Sequence, residues 1–204
     1  MKLYNSVGPN PHVVRMFMAE KGLDIPKVEV DLMKGENRAD THLARNPHGQ
    51  MPTLELDNGQ YVSEILAICE YLEDTHPTPP LIGATPEERA ETRMWTRRID
   101  LNIAEPMATG FRYSEGLPLF KSRIYTAPDA AEGLKGLAQD RLKWLDGQMA
   151  DGREFICGKR FTLADILLFC FLGFGATVGQ TLKPDLKNVG AWFERVKARP
   201  SASA

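Results

Sequence analysis

A chain of 204 residues is long enough to bury a real core, as one large domain or two small ones. Its 43% hydrophobic and 25% charged residues are ordinary for a globular protein, and a net charge of −2 removes any electrostatic reason to expect nucleic acid or an anionic membrane as partner. Cys69, Cys157 and Cys170 form no CxxC, zinc or disulfide pattern, which fits a reducing cytoplasm; Cys69 and Cys170 lie in apolar helical stretches and read as small buried hydrophobes. The N-terminus runs straight into a strand pattern rather than a signal peptide. The longest apolar run, Ile166 to Ala176, is too short to span a bilayer.

The first 80 residues alternate strands and helices. Lys2 to Asn5 is a short strand, followed by the turn Gly8-Pro9-Asn10-Pro11. Asn10 then Pro11 reads as an N-cap with proline at the first helical position, and Val13, Phe17 and Met18 supply the apolar face. Lys27 to Leu32 alternates with period two, as a strand does. A short helix is expected next. Thr53 to Val62 then gives two strands around an Asp-Asn-Gly turn. Ile65, Ile68, Cys69 and Leu72 recur at helical spacing, with Pro77 beyond the end.

His76 to Pro86 is proline-rich and aperiodic, as an interdomain linker should be, so the chain divides into domains 1–80 and 81–204. Beyond it every strong signal is helical. Thr85 caps a helix with Pro86 at the first position and Glu88 closing a capping box, and Trp95, Ile99 and Ile103 share a face. Thr162 and Asp165 repeat the device ahead of a segment apolar nearly all round, which places that helix at the centre of its domain. Val189, Trp192, Phe193 and Val196 form one stripe, ended by Pro200. Ordinary helix and loop lengths predict a bundle of about four to five helices.

The motifs "NPHGQMPTLELDNG", "SEILAICEYLE", "FICGKRFTLADI" and "AWFERVKARPS", in this order and spacing, resemble the cytosolic glutathione transferases over essentially the whole chain. The start "LYNSVGPNPHVVRMFMAEKG" and the stretch "DLMKGEN" are most similar to atypical bacterial and fungal members that lack the usual catalytic tyrosine. The resemblance implies an α/β thioredoxin-like N-terminal domain that binds glutathione and an all-α helical-bundle C-terminal domain that contributes the pocket for an electrophile. It also implies a homodimer, with glutathione as co-substrate and no metal. His48 has no second ligand at metal spacing.

By that resemblance Met51-Pro52 is a cis pair whose Met51 main chain joins the cysteinyl part of glutathione, a strand addition in miniature. Glu64 and the following residue would hold the γ-glutamyl end at a helix start. Here that following residue is Ile65 where the family keeps serine, which removes one hydroxyl donor and ~1.5–3 kcal/mol of binding. Gln50, Lys34 and His48 are candidates for the glycyl carboxylate. The thiol needs a donor, a positive charge or a helix N-terminus to ionise. Asn10 is the first candidate and Ser6 the second. For the electrophile, Met107 and Phe111 are apolar candidates for wall or core alike, and Arg112 or Tyr113 a polar one. Adjacent helical positions diverge by about 100°, so at most one of that last pair faces a pocket.

Three functions follow. The first is conjugation of the glutathione thiolate to small apolar electrophiles; the second is glutathione-dependent disulfide or peroxide reduction; the third is a non-catalytic binding protein with a weakened glutathione site.

Overall fold

Short alternating segments give short strands, described here in a computed structural model covering Met1 to Ala204. β1 (Lys2–Asn5) lies parallel to β2 (Lys27–Glu29) and antiparallel to β3 (Thr53–Glu55), which pairs antiparallel with β4 (Tyr61–Ser63). The sheet order is β2-β1-β3-β4. α1 (Pro9–Glu20), the short α2 (Asp40–Leu43) and α3 (Ile65–Thr75) complete a thioredoxin-like unit. Its core is the pairing of α1 with α3 beside the sheet: Val13, Val14, Phe17, Ile68, Cys69 and Leu72 are fully buried, as are Leu3 and Leu54. Side chains of this kind stabilise by about 1.5–3 kcal/mol each on full burial.

The start of α1 departs from expectation. Pro9, not Pro11, is the first helical residue, and Gly8 occupies the cap position with φ 109° and ψ 172°. Only glycine adopts that conformation without strain, so the chain turns there, and the His12 amide already bonds the Gly8 carbonyl at 3.3 Å. Asn10 is therefore inside the first turn and caps nothing. The expected strand to Leu32 is also shorter: β2 ends at Glu29, and only Val30 extends the ladder, its amide bonding the Asn5 carbonyl at 2.8 Å.

The proline-rich stretch after α3 is anchored rather than loose. The fully buried Lys21 ammonium takes Glu73 at 2.6 Å and the carbonyls of His76 and Pro79 at 2.7 Å each. Glu73 in turn accepts the Leu81 amide. The chain separates into two compact units, Met1–Leu81 with Pro200–Ala204, and Ile82–Arg199. Pro200 thus ends one helix and opens a 3₁₀ turn, Pro200–Ser203, that belongs to the sheet unit.

The second unit is entirely helical: α4 (Pro86–Ile99), α5 (Glu105–Tyr113), α6 (Leu117–Phe120), α7 (Ala131–Gln148), α8 (Leu163–Thr177) and α9 (Lys187–Lys197). α4 runs on into α5 through a π turn, Asp100–Ala104. Pro106 explains the turn: it cannot donate within the helix, so the Glu105 amide reaches back five residues to the Asp100 carbonyl. At the other capped start, Thr85 accepts the Glu88 amide as expected, while the Glu88 carboxylate reaches one residue further back, to the Ala84 amide at 2.8 Å. α8 is buried along most of its length and carries the complete Thr162/Asp165 capping box.

Asp165 does more than cap. One carboxylate oxygen accepts the Ile156 amide and the Trp192 indole N–H, at 2.9 and 2.8 Å, and the other accepts the amide and hydroxyl of Thr162. Burial pushes this carboxyl up to about 6 even against those donors. Two helices and a loop meet on one side chain.

Candidate functional site

The strand registers gather the expected glutathione residues at one end of the sheet. Tyr4 pairs with Thr53, Thr53 with Ser63, and Asn5 with Glu29. The ends of β1, β2 and β4 and the start of β3 therefore share an edge. The segments around Ser6–Asn10, Val30–Lys34, Gln50–Pro52 and Ser63–Ile65 all leave from that edge.

Met51-Pro52 is a cis peptide. The Met51 side chain is buried against Tyr4, Val30 and Leu32. Its main-chain amide and carbonyl bond nothing within the chain, since pairing resumes only at Thr53. An extended peptide finds there one free donor and one free acceptor immediately ahead of β3.

Glu64 has φ 69°, the one non-glycine residue on the positive side, a strain of about 1–3 kcal/mol held immediately ahead of α3. No side chain caps α3, so the Ile65 and Leu66 amides remain open at its start. The Glu64 carboxylate is largely exposed and meets the exposed His48 ring at 4.0 Å. Lys34 is exposed and turned to Asp31 at 3.3 Å. The Gln50 side chain is half-buried without a partner, but its carbonyl is firmly held. His42 Nε2 donates to it at 3.3 Å and Asn46 Nδ2 at 2.9 Å. Asn37 likewise donates to the Gly49 carbonyl at 2.7 Å, and Arg38 to that of His48 at 3.2 Å.

These four supports were not among the expected site residues; Asn46 ahead of Pro47 reads only as a turn signal in the sequence. Because a carbonyl can only accept, His42 carries its proton on Nε2 and leaves Nδ1 buried and unpartnered. Burial, aided by Arg45 and Arg38, holds its pKa below the ordinary histidine value.

The two candidates at the sulfur end separate. The Ser6 hydroxyl is buried and donates its single proton to the Val30 carbonyl at 2.6 Å, so it is a tie between two loops rather than a free donor. Asn10 is half-buried and its side chain has no partner in the chain. Prolines at Pro9 and Pro11 also delete two of the first-turn amides, which leaves the Asn10 amide and carboxamide as the donors at this helix start. The Tyr4 hydroxyl is committed to Glu55 at 2.7 Å.

Of the helical residues, Met107 falls on the core side of the two readings open to it. It is fully buried beneath Gly175, where an added Cβ would stand 2.9 Å from its sulfur, and Gln180 bonds its carbonyl at 2.9 Å. It is core, not a wall. Phe111 packs edge-on against Phe120 and Phe174, with centroids 6.1 and 5.1 Å away. Arg112 is spent on Glu105 at 2.9 Å and Thr109 at 3.2 Å. Tyr113 is half-buried with neither ring contact nor hydrogen bond, and is the uncommitted member of the group.

No group of three His, Cys, Asp or Glu side chains could hold a metal ion, and no helix is long and apolar enough to cross a membrane.

The fold agrees with that of known proteins. The profile "Glutathione S-transferase, N-terminal domain" matches residues 1–74, and "Glutathione S-transferase, C-terminal domain" matches residues 112–200. Glutathione S-transferase 2 of Saccharomyces cerevisiae is 31% identical over 98% of this chain and 87% of its own length. GstA of Escherichia coli O157:H7 is 32% identical over 98% and 94%. The crystal structure of a glutathione S-transferase domain-containing protein from Marinobacter aquaeolei VT8 superposes with a TM-score of 0.93 at 36% identity, over 99% of this chain and all of that one. The chain belongs to the glutathione S-transferase family.

Proposed function

We propose that the protein binds glutathione at this sheet edge and transfers it to small apolar electrophiles. One observation supports this above the others: the open amide and carbonyl of Met51, beside cis-Pro52, lie at the same sheet edge as the uncapped start of α3. In this reading Met51 pairs with the cysteinyl main chain, as an added strand would. The γ-glutamyl carboxylate takes the Ile65 and Leu66 amides, and its ammonium takes Glu64. His48 and Lys34, both exposed side chains able to turn, meet the glycyl carboxylate, with the Gln50 side chain alongside.

Asn10 donates to the sulfur and favours the thiolate over the thiol. The thiol proton leaves to water; the sulfur lone pair forms the new C–S bond while the leaving group departs with its own electron pair.

Retention on immobilised glutathione and titration calorimetry test the binding. An Ile65→Ser variant should bind glutathione about tenfold more tightly, by restoring a hydroxyl to a charged ligand. No retention, and no heat at millimolar glutathione in either form, would sink the reading. Initial rates with an aryl halide should exceed those with a small mixed disulfide; the reverse order assigns the protein to disulfide reduction.

A further inference from the structure

The turn Pro200–Ser203 lies against α1, and three side chains of that helix hold the segment. The His12 ring donates through Nε2 to the Ala202 carbonyl at 3.2 Å. Arg15 donates through Nε to the Ala204 carbonyl at 3.1 Å. Glu20 accepts the hydroxyl of Ser201, which is itself buried.

Arg15 has a second task. Its Nη1 donates to the Asn5 side-chain oxygen at 2.8 Å and to the Ser6 carbonyl at 3.2 Å. One planar guanidinium thus joins the Pro200–Ala204 segment to the residues that lead into Gly8 and Asn10. Its fork geometry allows little freedom once three acceptors are engaged. Beyond Ser6 the turn has few supports of its own: Val7 is 67% exposed, a Cβ at Gly8 would meet only open space, and Asn10 has no partner. The pose of Asn10 depends on where α1 and the Ser6 carbonyl are held. α1 is packed through its buried face, and the Ser6 carbonyl is held by Arg15, which also engages the Pro200–Ala204 segment.

We infer that this segment is a positioning element for the sulfur end of the site: by bracing His12 and Arg15 it fixes the Ser6–Asn10 turn. The inference rests on the proposed placement of the glutathione sulfur beside Asn10. It predicts an effect on thiol ionisation rather than on glutathione affinity, because the Met51 and α3 contacts belong to other segments. A displacement of about 1 Å at a reacting group can cost as much as a hundredfold in rate.

The test uses the full chain, a variant lacking Ser201–Ala204, and Arg15→Lys, which keeps the charge but loses the fork. The readouts are the ultraviolet thiolate absorbance of bound glutathione against pH, calorimetric affinity, and kcat and KM with an aryl halide. Both variants should ionise bound glutathione at higher pH and lose about tenfold in kcat, with KM for glutathione within about threefold. Unchanged thiolate titration and kcat in a folded variant would overturn the inference, as would a loss confined to KM. Should the deletion melt below the assay temperature, Arg15→Lys decides by the same two outcomes. Absence of glutathione binding by the unaltered protein would instead remove the site reading itself.

Discussion

Two helix starts in this protein are built in opposite ways. At α8, Thr162 and Asp165 satisfy each other, and the Asp165 carboxylate also takes Ile156 and Trp192, so every acceptor position is used. At α1, the cap position is a glycine, two prolines remove amides, and the nearest amide side chain, Asn10, is left without a partner. The first start is closed and serves packing. The second is open and can take up a ligand. Saturated polar groups mark where a fold is held together; unsaturated ones at a shared edge mark where it can bind.

The contrast breaks most visibly at Asp165. Its replacement by Ala leaves four donors unanswered in the core of the helical unit, and denaturant unfolding should show a loss of roughly 3–6 kcal/mol. Next is the buried pair of the sheet unit. Lys21→Ala alone should cost about 3–5 kcal/mol because the Glu73 charge is stranded, whereas Lys21→Met combined with Glu73→Leu should recover most of it. A double variant as unstable as the single one would show that the ammonium is needed for the His76 and Pro79 carbonyls rather than for Glu73.

Asn10 and Ser6 sharpen the comparison from the open side. Asn10→Ala should lower kcat by roughly ten- to a hundredfold, the worth of one hydrogen bond to a charged sulfur, with stability within about 0.5 kcal/mol. Ser6→Ala should do the reverse, losing about 1 kcal/mol of stability through the Val30 tie with the pH profile of the thiol unmoved.

The smallest effect concerns acid. His42 is neutral in the fold, and burial keeps its pKa below that of the unfolded chain. Below pH of about 6.5 the unfolded state binds the proton first, so this residue's contribution is complete above that value and falls away as pH drops towards the folded pKa. His42→Asn should flatten the acid slope of stability relative to the unaltered protein; an identical slope would mean that the ring protonates freely in place.

Much of this was legible in the residues. The capping boxes at Thr85 and Thr162, the Asp-Asn-Gly hairpin and the apolar spacing of α3, α8 and α9 are signals carried within one or two turns of chain. The cis Met51-Pro52 bond was legible as a motif resemblance. Two features were misjudged or invisible, each for a physical reason. The start of α1 shifted by two residues because Asn-Pro and Gly-Pro both satisfy the local rules, and only the turn out of β1 selects Gly8 at φ 109°. Met107 reads as amphipathic wall or core with equal ease, and its burial is decided by Gly175 and Gln180, dozens of residues away.

The sequence alone determined the capped starts of α4 and α8, which stripes are apolar and which residue types stand at the expected binding positions, because these depend on neighbours within a few positions. Tertiary structure decided which donors are free. Ser6 is consumed by Val30, Arg112 by Glu105, and Arg15 by Asn5, Ser6 and Ala204, while Asn10 and Met51 are left open. A hydrogen bond has one donor and one acceptor, and whether a side chain is available for a ligand is settled only when the fold has brought its competitors within 3 Å or so.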